Sequence, residues 1–122
     1  MSHGQLGNEL LKVGEMMFGP LEKAVAVSLS PTDSVDGFGE RVGKAVTLLG
    51  SGQTLIMADL FGGTPANAAA RLVKAGSCHL VAGVNLPMLL EVLGARGSCS
   101  LEKLTELASA AGLAGITTLT EI

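Results

Sequence analysis

The sequence predicts an α/β fold, an open parallel sheet sandwiched by helices. Short apolar runs alternate with helical patterns along the whole chain, which is typical of βαβ units. No linker, repeat or low-complexity tract interrupts this alternation, so we expect a single domain covering residues 1–122. Apolar residues make up 48% of the chain but aromatic residues only 2%, so we expect an aliphatic core.

The first third of the chain predicts helix, strand and helix. Residues 6–17 carry apolar side chains at spacings of four, three and four, a period of 3.6 that predicts a helix, and Gly19-Pro20 ends it. Residues 24–29 form an apolar run that suits a buried strand. A second helix is expected from Ser34 to Leu49, with Asp33 or Ser34 as its cap.

The middle of the chain predicts a strand, a glycine-rich turn and a helix. Residues 54–58 form the strand, which ends at Asp59. After the turn, Thr64 is the expected N-cap and Pro65 the first helical residue, while Gly76 is the expected stop.

The last third predicts strand, helix, helix and strand. Residues 80–84 form the next strand, and a short helix is expected to reach Leu93. Ser100 is expected to cap a helix over residues 101–111. Residues 116–120 are rich in β-branched side chains and predict a final strand.

The charge pattern excludes several classes of partner. The net charge is −3 and no cluster of Lys or Arg is present, which argues against nucleic acid and against a polybasic membrane contact. No apolar run approaches the roughly 18 residues of a membrane span, and no secretory signal is visible, so we expect a cytoplasmic protein. Cys78 and Cys99 match no metal or redox spacing and are predicted to be free buried thiols.

His3 and Gly4 come directly before the first helix. A histidine beside the free backbone amides of a helix start is well placed to carry a phosphoryl group, because the helix dipole favours negative charge there. Asp59, at the end of a strand, could accept the N–H of one ring nitrogen and fix the tautomer that attacks phosphorus through the other. The alternative is that His3 is merely a disordered terminal residue. His79 lies in an apolar strand and is expected to be a surface or core-edge residue.

The turn after Asp59 has the parts of an anion site. Gly62 and Gly63 permit a tight turn that exposes backbone amides, and Thr64 adds a hydroxyl at a helix start. No Gly-Lys-Ser/Thr follows, so the turn is not a nucleotide P-loop. A tight βα turn with a capping threonine, in which Asp59 only bonds backbone, remains open as the alternative.

Three stretches together resemble a known family. Residues 2–4 (SHG) with the following helix, residues 59–69 (DLFGGTPANAA) and residues 82–89 (AGVNLPML) are similar in order and spacing to the mannose-family enzyme IIA domain (type 4) of the bacterial phosphoenolpyruvate-dependent sugar phosphotransferase system. The resemblance implies a flavodoxin-like fold, usually dimeric, with a C-terminal strand exchanged between subunits and matched here by residues 116–120.

The resemblance also implies roles and partners. His3 would accept a phosphoryl group from the phosphohistidine of the carrier protein HPr and pass it to a IIB component, which serves a membrane permease. Asp59 would hydrogen-bond that histidine, and Gly4, Gly62, Gly63 and Thr64 would lie around the phosphoryl group. No cofactor or metal is expected, because phosphohistidine itself carries the energy.

One departure from the family pattern concerns the start of the sheet. Family members have a hydrophobic strand of about six to eight residues before the histidine, whereas only Met1 and Ser2 precede His3 here. The sequence therefore predicts a domain that lacks its N-terminal strand, through either a misplaced start or a gap filled another way. Two other functions stay open at this point: a regulatory phosphoacceptor module without transport, and a small hydrolase that uses His3.

Overall fold

A computed structural model describes residues 1–50 and 52–120. Within these ranges the chain forms alternating strands and helices in the order β1 (Ser2–His3), α1 (Leu6–Phe18), β2 (Ser28–Leu29), α2 (Val35–Leu49), β3 (Thr54–Ala58), α3 (Thr64–Lys74), β4 (Cys78–Ala82), α4 (Leu86–Ala95) and α5 (Leu101–Ala114).

The strands form two parallel pairs that lie side by side. Strand β1 pairs with β2, and β3 pairs with β4 over five residues, from Thr54 opposite Cys78 onward. The amine of Met1 donates a hydrogen bond to the Met57 carbonyl at 2.7 Å, which connects the first pair to the second. The spatial order is therefore β2-β1-β3-β4, and the predicted open parallel α/β fold is confirmed.

Helices cover both faces of these strands, and alternate residues of each strand point to opposite layers. On one face, Ile56 and Cys78 pack with Ala69 of α3. On the other, Val81 packs with Val92 of α4, in a cluster that extends to α5. Because parallel strands buried on both faces need apolar residues at every position, the continuous apolar runs of the sequence are accounted for.

One prediction about the N-terminal part needs correction. Strand β1 contains only Ser2 and His3, and the absence of the family's longer first strand stays a prediction. The strand expected over residues 24–29 is confined to Ser28–Leu29. Strand β2 is short because a ladder extends only as far as its partner strand, and β1 has two residues.

Several element ends also differ from the prediction. The strand expected over residues 80–84 runs from Cys78 to Ala82, because it aligns with β3 and Gly83, at φ +86°, turns the chain away. Gly63, and not Thr64, is the N-cap of α3. The helix expected to stop at Leu93 reaches Ala95.

The C-terminal tail does not form the predicted strand. Helix α5 ends at Ala114, beyond the expected residue 111, and residues 116–120 have no regular structure in the single chain. Ile116 and Leu119 are 72% and 75% exposed, and no strand within residues 1–50 and 52–120 pairs with them. None of the helices in the described part of the chain is long and apolar enough to cross a membrane.

The two cysteines differ from each other. Cys78 is a buried free thiol, as predicted, and it packs at the start of β4. Cys99 is exposed, which contradicts the prediction for it. It lies in the short connection between α4 and α5, where the chain runs over the surface.

Candidate functional site

The site lies where two parallel strands end side by side. Strand β1 ends at His3, and β3 ends at Ala58, directly before Asp59. The hydrogen bond from Met1 to Met57 sets the register of the two strands. Because they run in the same direction, His3 and Asp59 meet at the carboxyl edge of the sheet, where open α/β sheets commonly bind ligands.

His3 contacts Asp59 through both its backbone and its ring. The His3 backbone N–H donates to Oδ2 of Asp59 at 2.9 Å, and the ring Nδ1 lies 2.9 Å from the same oxygen. The second carboxylate oxygen, Oδ1, accepts the N–H of Leu60 at 3.0 Å. The carboxylate is thus held from both sides, and its position fixes that of the imidazole.

The charge state of Asp59 decides which ring nitrogen of His3 is free. Burial would raise the pKa of Asp59, but the hydrogen bonds from the His3 backbone, the His3 ring and the Leu60 N–H outweigh it and lower the pKa below 3.8. A carboxylate that is ionised at neutral pH can only accept, so Nδ1 of His3 carries the proton. In a neutral imidazole Nε2 then has the lone pair, and the His3 side chain is 48% exposed.

The glycine turn lies against the imidazole. Gly62 has φ +80°, a conformation that favours glycine. A Cβ on Gly63 would come within 3.2 Å of Cε1 of His3, so the turn and the ring are close neighbours. Helix α3 starts at Thr64, and the N–H groups of its first turn have no carbonyl partner inside the helix. The structure therefore brings a helix N-terminus next to His3.

Gly4 takes a different place from the one expected. Its N–H donates to the carbonyl of Leu29 at 2.7 Å, so this amide already belongs to the backbone bonding around β1 and β2. With φ +54°, Gly4 serves the turn from β1 into α1. The geometry does not support a phosphate contact through the Gly4 N–H.

Ser2 is a residue of the site that the sequence reasoning missed. Its side chain is fully buried, and its Oγ accepts the Gly7 N–H at 2.8 Å and donates to the Gly4 carbonyl at 3.3 Å. It thereby ties the first turn of α1 to the strand that carries His3. A hydroxyl residue beside a candidate catalytic residue was the available signal, but its contacts depend on the turn and could not be read from spacing.

Two large apolar side chains next to the site are exposed to solvent. Phe61 is 89% exposed and Leu60 is 59% exposed, directly after Asp59. His79, by contrast, takes no part: its Nδ1 lies 2.8 Å from Oγ1 of Thr105 on α5. Within residues 1–50 and 52–120, no three His, Cys, Asp or Glu side chains come together as metal ligands.

A comparison with known protein families shows which family this chain belongs to. Residues 1–109 match the EIIA-man family model, PTS system fructose IIA component. The chain belongs to this family. The family match covers every residue of the site described above.

Curated relatives and solved structures agree with the family. The PTS system mannose-specific EIIAB component of Escherichia coli (strain K12) is 33% identical over 97% of this chain, and the matched part is 38% of that protein's length. The PTS system sorbose-specific EIIA component of Lacticaseibacillus casei is 31% identical over 85% of this chain and 76% of its own length. Among solved structures, the mannose/sorbose-specific IIA subunit from Enterococcus faecalis has a TM-score of 0.89 at 31% identity, covering 100% of this chain and 92% of that one. This chain is therefore a IIA-type phosphotransferase-system domain with the fold of those proteins.

Proposed function

We propose that this chain is a phosphocarrier that accepts a phosphoryl group on Nε2 of His3 from phosphorylated HPr and passes it to a IIB component for sugar uptake. The single observation that supports this most directly is the contact between Nδ1 of His3 and Oδ2 of Asp59. It keeps the proton of the neutral ring on Nδ1 and leaves Nε2 as a nucleophile directed away from the carboxylate.

In the proposed step, the Nε2 lone pair attacks phosphorus while the P–N bond of the donor phosphohistidine breaks. The bonding electrons return to the donor imidazole, and the proton on Nδ1 of His3 stays in its hydrogen bond with Asp59. As Nε2 forms its new bond the ring gains positive character, and the ionised Asp59 stabilises it. In the second transfer a nucleophile of IIB attacks phosphorus, the bond between phosphorus and Nε2 of His3 breaks, and its electrons return to the His3 imidazole.

The phosphoryl oxygens need donors, since transfer relies mainly on positioning and on stabilising charge. We assign this role to the N-terminal end of α3, where Gly63 lies against the His3 ring and Thr64 begins the helix. Free amides and the helix dipole favour an anion there. Gly62 contributes by giving the turn its shape.

The proposal includes two protein contacts. Phe61 and Leu60, exposed next to Asp59, form an apolar rim against which HPr and IIB can dock in turn, since exposed aromatic side chains are enriched at interfaces. A homodimer is the second contact. Residues 116–120 would pair as a strand with a second copy, which would cover the exposed Ile116 and Leu119.

The test is phosphorylation by phosphoenolpyruvate, enzyme I and HPr, followed by intact-mass measurement. We expect one acid-labile phosphate per chain, absent from His3→Ala and retained by His79→Ala. The His79 variant is the matched control, because the chain contains two histidines and His79 lies on β4, away from the site. A phosphate that persists in His3→Ala would refute the assignment, and so would a wild-type chain that stays unmodified. Transfer onward is tested by adding a IIB domain and following loss of the label.

A further inference from the structure

The backbone on either side of His3 is bonded to β2. Ser2 faces that strand and donates its N–H to the Val27 carbonyl at 3.2 Å. Gly4 also faces it and donates its N–H to the Leu29 carbonyl at 2.7 Å. His3, between them, faces the other way, toward the end of β3. The position of His3 at the carboxyl edge of the sheet therefore depends on β2 as well as on the carboxylate that its ring contacts.

Side chains bond to the outer edge of β2. In the part of the chain that the structure describes, β2 pairs with β1 alone. Ser28 lies between the two residues that bond to β1, so its backbone groups and those of Ser30 point to the opposite edge. There Arg41 donates from Nη2 to the Ser28 carbonyl at 2.9 Å. The Ser30 N–H donates to Oδ2 of Asp33 at 2.8 Å.

The two side chains at this edge form an ion pair with each other. Nη2 of Arg41 lies 2.6 Å from Oδ2 of Asp33. The pair thus presents one donor and one acceptor to β2, the groups that a neighbouring strand would present. The Ser30 N–H, and to a lesser extent Arg41, lower the pKa of Asp33 despite an opposing effect of partial desolvation. The carboxylate is therefore ionised at neutral pH.

Helix α2 holds both members of the pair. Asp33 directly precedes the cap residue Ser34, whose Oγ accepts the Gly37 N–H at 3.0 Å. Arg41 lies about two turns further along the helix. Its guanidinium is 5.4 Å from the centre of the Phe38 ring, which is fully buried, so the cation rests on a fixed part of the core. The pair therefore links the outer edge of β2 to a rigid helix.

We propose that Asp33 and Arg41 are positioning residues for phosphoryl transfer at His3, and that they act by holding the outer edge of β2. The inference rests on the proposed function of His3. Exposed ion pairs in general add little to stability, so we expect the main effect of this pair to be on geometry. Because β2 holds the residues on both sides of His3, releasing its outer edge displaces the imidazole, and transfer rates are sensitive to displacements of about 1 Å.

The first test measures phosphorylation by phosphorylated HPr. Arg41→Met keeps an apolar stem over Phe38 and removes the donors. We expect its maximal rate to fall at least about 5-fold with KM for phosphorylated HPr within about 2-fold, since a displaced nucleophile affects transfer and not docking. Arg41→Lys restores donors and charge and should recover about half of the wild-type rate or more. Asp33→Asn keeps an acceptor for Ser30 but loses the charge, and should also lower the maximal rate.

The matched control is Lys103→Met. Lys103 pairs with Glu106 at 3.8 Å on the exposed side of α5. Thr105, on the same helix, contacts His79 near the amino end of β4, so this ion pair lies away from the carboxyl edge that carries His3. The variant loses one cation and one ion pair, as Arg41→Met does, and should keep the wild-type maximal rate within about 2-fold.

The second test is amide hydrogen exchange by NMR on the unphosphorylated chain, which does not depend on the reaction. In Arg41→Met the Gly4 N–H, bonded to Leu29, should exchange at least about 10-fold faster, while the amides of the β3–β4 ladder keep their rates, because the opening is local. Arg41→Lys should return the Gly4 rate toward that of the wild type. A variant that was only less stable would exchange faster in both places.

Four results would overturn the inference. The first is a wild-type maximal rate in Arg41→Met, and the second is an equal fall in Lys103→Met. The third is a rise in KM alone, which would make the pair part of the HPr contact. The fourth is faster exchange throughout the chain in place of a local change at Gly4. Each of these refutes the positioning role alone, whereas a wild-type chain that is not phosphorylated refutes the proposed function itself.

Discussion

Asp59 accepts two hydrogen bonds from a single residue, since the backbone N–H and the ring Nδ1 of His3 both lie 2.9 Å from its Oδ2 atom. One carboxylate oxygen thereby fixes the end of β1 and the orientation of the imidazole together. The backbone contact holds the residue, and the ring contact selects the tautomer. Changing Asp59 should therefore affect both the tautomer of His3 and the rate at which His3 is phosphorylated.

The first prediction concerns this carboxylate. Asp59→Asn should slow phosphorylation of His3 by about 10- to 100-fold, the cost seen when a carboxylate that orients a metal-ligating histidine is removed. Nitrogen-15 chemical shifts of His3 should show the Nδ1-protonated tautomer in the wild type and a mixture in the variant. An unchanged tautomer and an unchanged rate in the variant would show that Asp59 serves the backbone alone.

The second prediction concerns stability in acid. Hydrogen bonds from His3 and Leu60 overcome the effect of burial and lower the pKa of Asp59 below its ordinary value of 3.8. A carboxyl whose pKa is lower in the folded state stabilises the fold above its unfolded pKa. This contribution is lost as pH falls from about 3.8 through the lower, folded pKa. Across this pH range, the free energy of unfolding measured by urea should therefore fall less for Asp59→Asn than for the wild type. The same fall with pH in both proteins would contradict this prediction.

The third prediction separates contact from backbone strain at two adjacent glycines. Gly63→Ala should slow phosphorylation, because its Cβ would come within 3.2 Å of His3 Cε1, while its φ of −80° suits alanine. Gly62→Ala should lower the free energy of unfolding by about 1–2 kcal/mol, because φ is +80° there and L-residues are strained.

Its Cβ would meet nothing within 4 Å, so the Gly62 variant should be phosphorylated more rapidly than the Gly63 variant. Phosphorylation kinetics and urea melts on both proteins test this. The interpretation fails if the Gly62 variant is the slower of the two.

The fourth prediction concerns Ser2. Ser2→Ala removes the acceptor of the Gly7 N–H and should lower the free energy of unfolding by about 1–3 kcal/mol, the cost of leaving a buried polar group without its partner. Ser30→Ala, at an exposed hydroxyl, is the control and should change stability by less than about 0.5 kcal/mol. Similar urea midpoints for both variants would show that water satisfies the Gly7 amide.

The fifth prediction concerns docking. Phe61→Ala removes a ring that is 89% exposed and should raise the KM for phosphorylated HPr by about 10-fold, as for an interface residue worth more than 1 kcal/mol. The free energy of unfolding should not fall, because the ring is not part of the core. Leu48→Ala is the control: Leu48 is 86% exposed at the C-terminal end of α2, the end opposite the site. The same change in KM for Phe61→Ala and Leu48→Ala would show that HPr does not dock at Phe61.

Local sequence signals determined most of the helices and the chemistry of the site. Ser34, Asn85 and Ser100 cap α2, α4 and α5 through side-chain bonds to N–H groups three residues ahead. Such bonds span one turn, so spacing alone reveals where the helices begin. The turn after Asp59 was equally readable, since glycine permits φ values that other residues avoid.

The extent of each strand, and the meeting of His3 with Asp59, depended on the tertiary structure. Strand length is set by the partner, so residues 24–29 formed only a two-residue ladder opposite the short β1, and residues 116–120 formed none. His3 and Asp59 are 56 residues apart in sequence. Sequence identified both as candidates, His3 because it precedes a helix start and Asp59 because it follows a strand. Only the parallel packing of β1 beside β3 brings them within one hydrogen bond, since that contact depends on register across the sheet and not on neighbours along the chain.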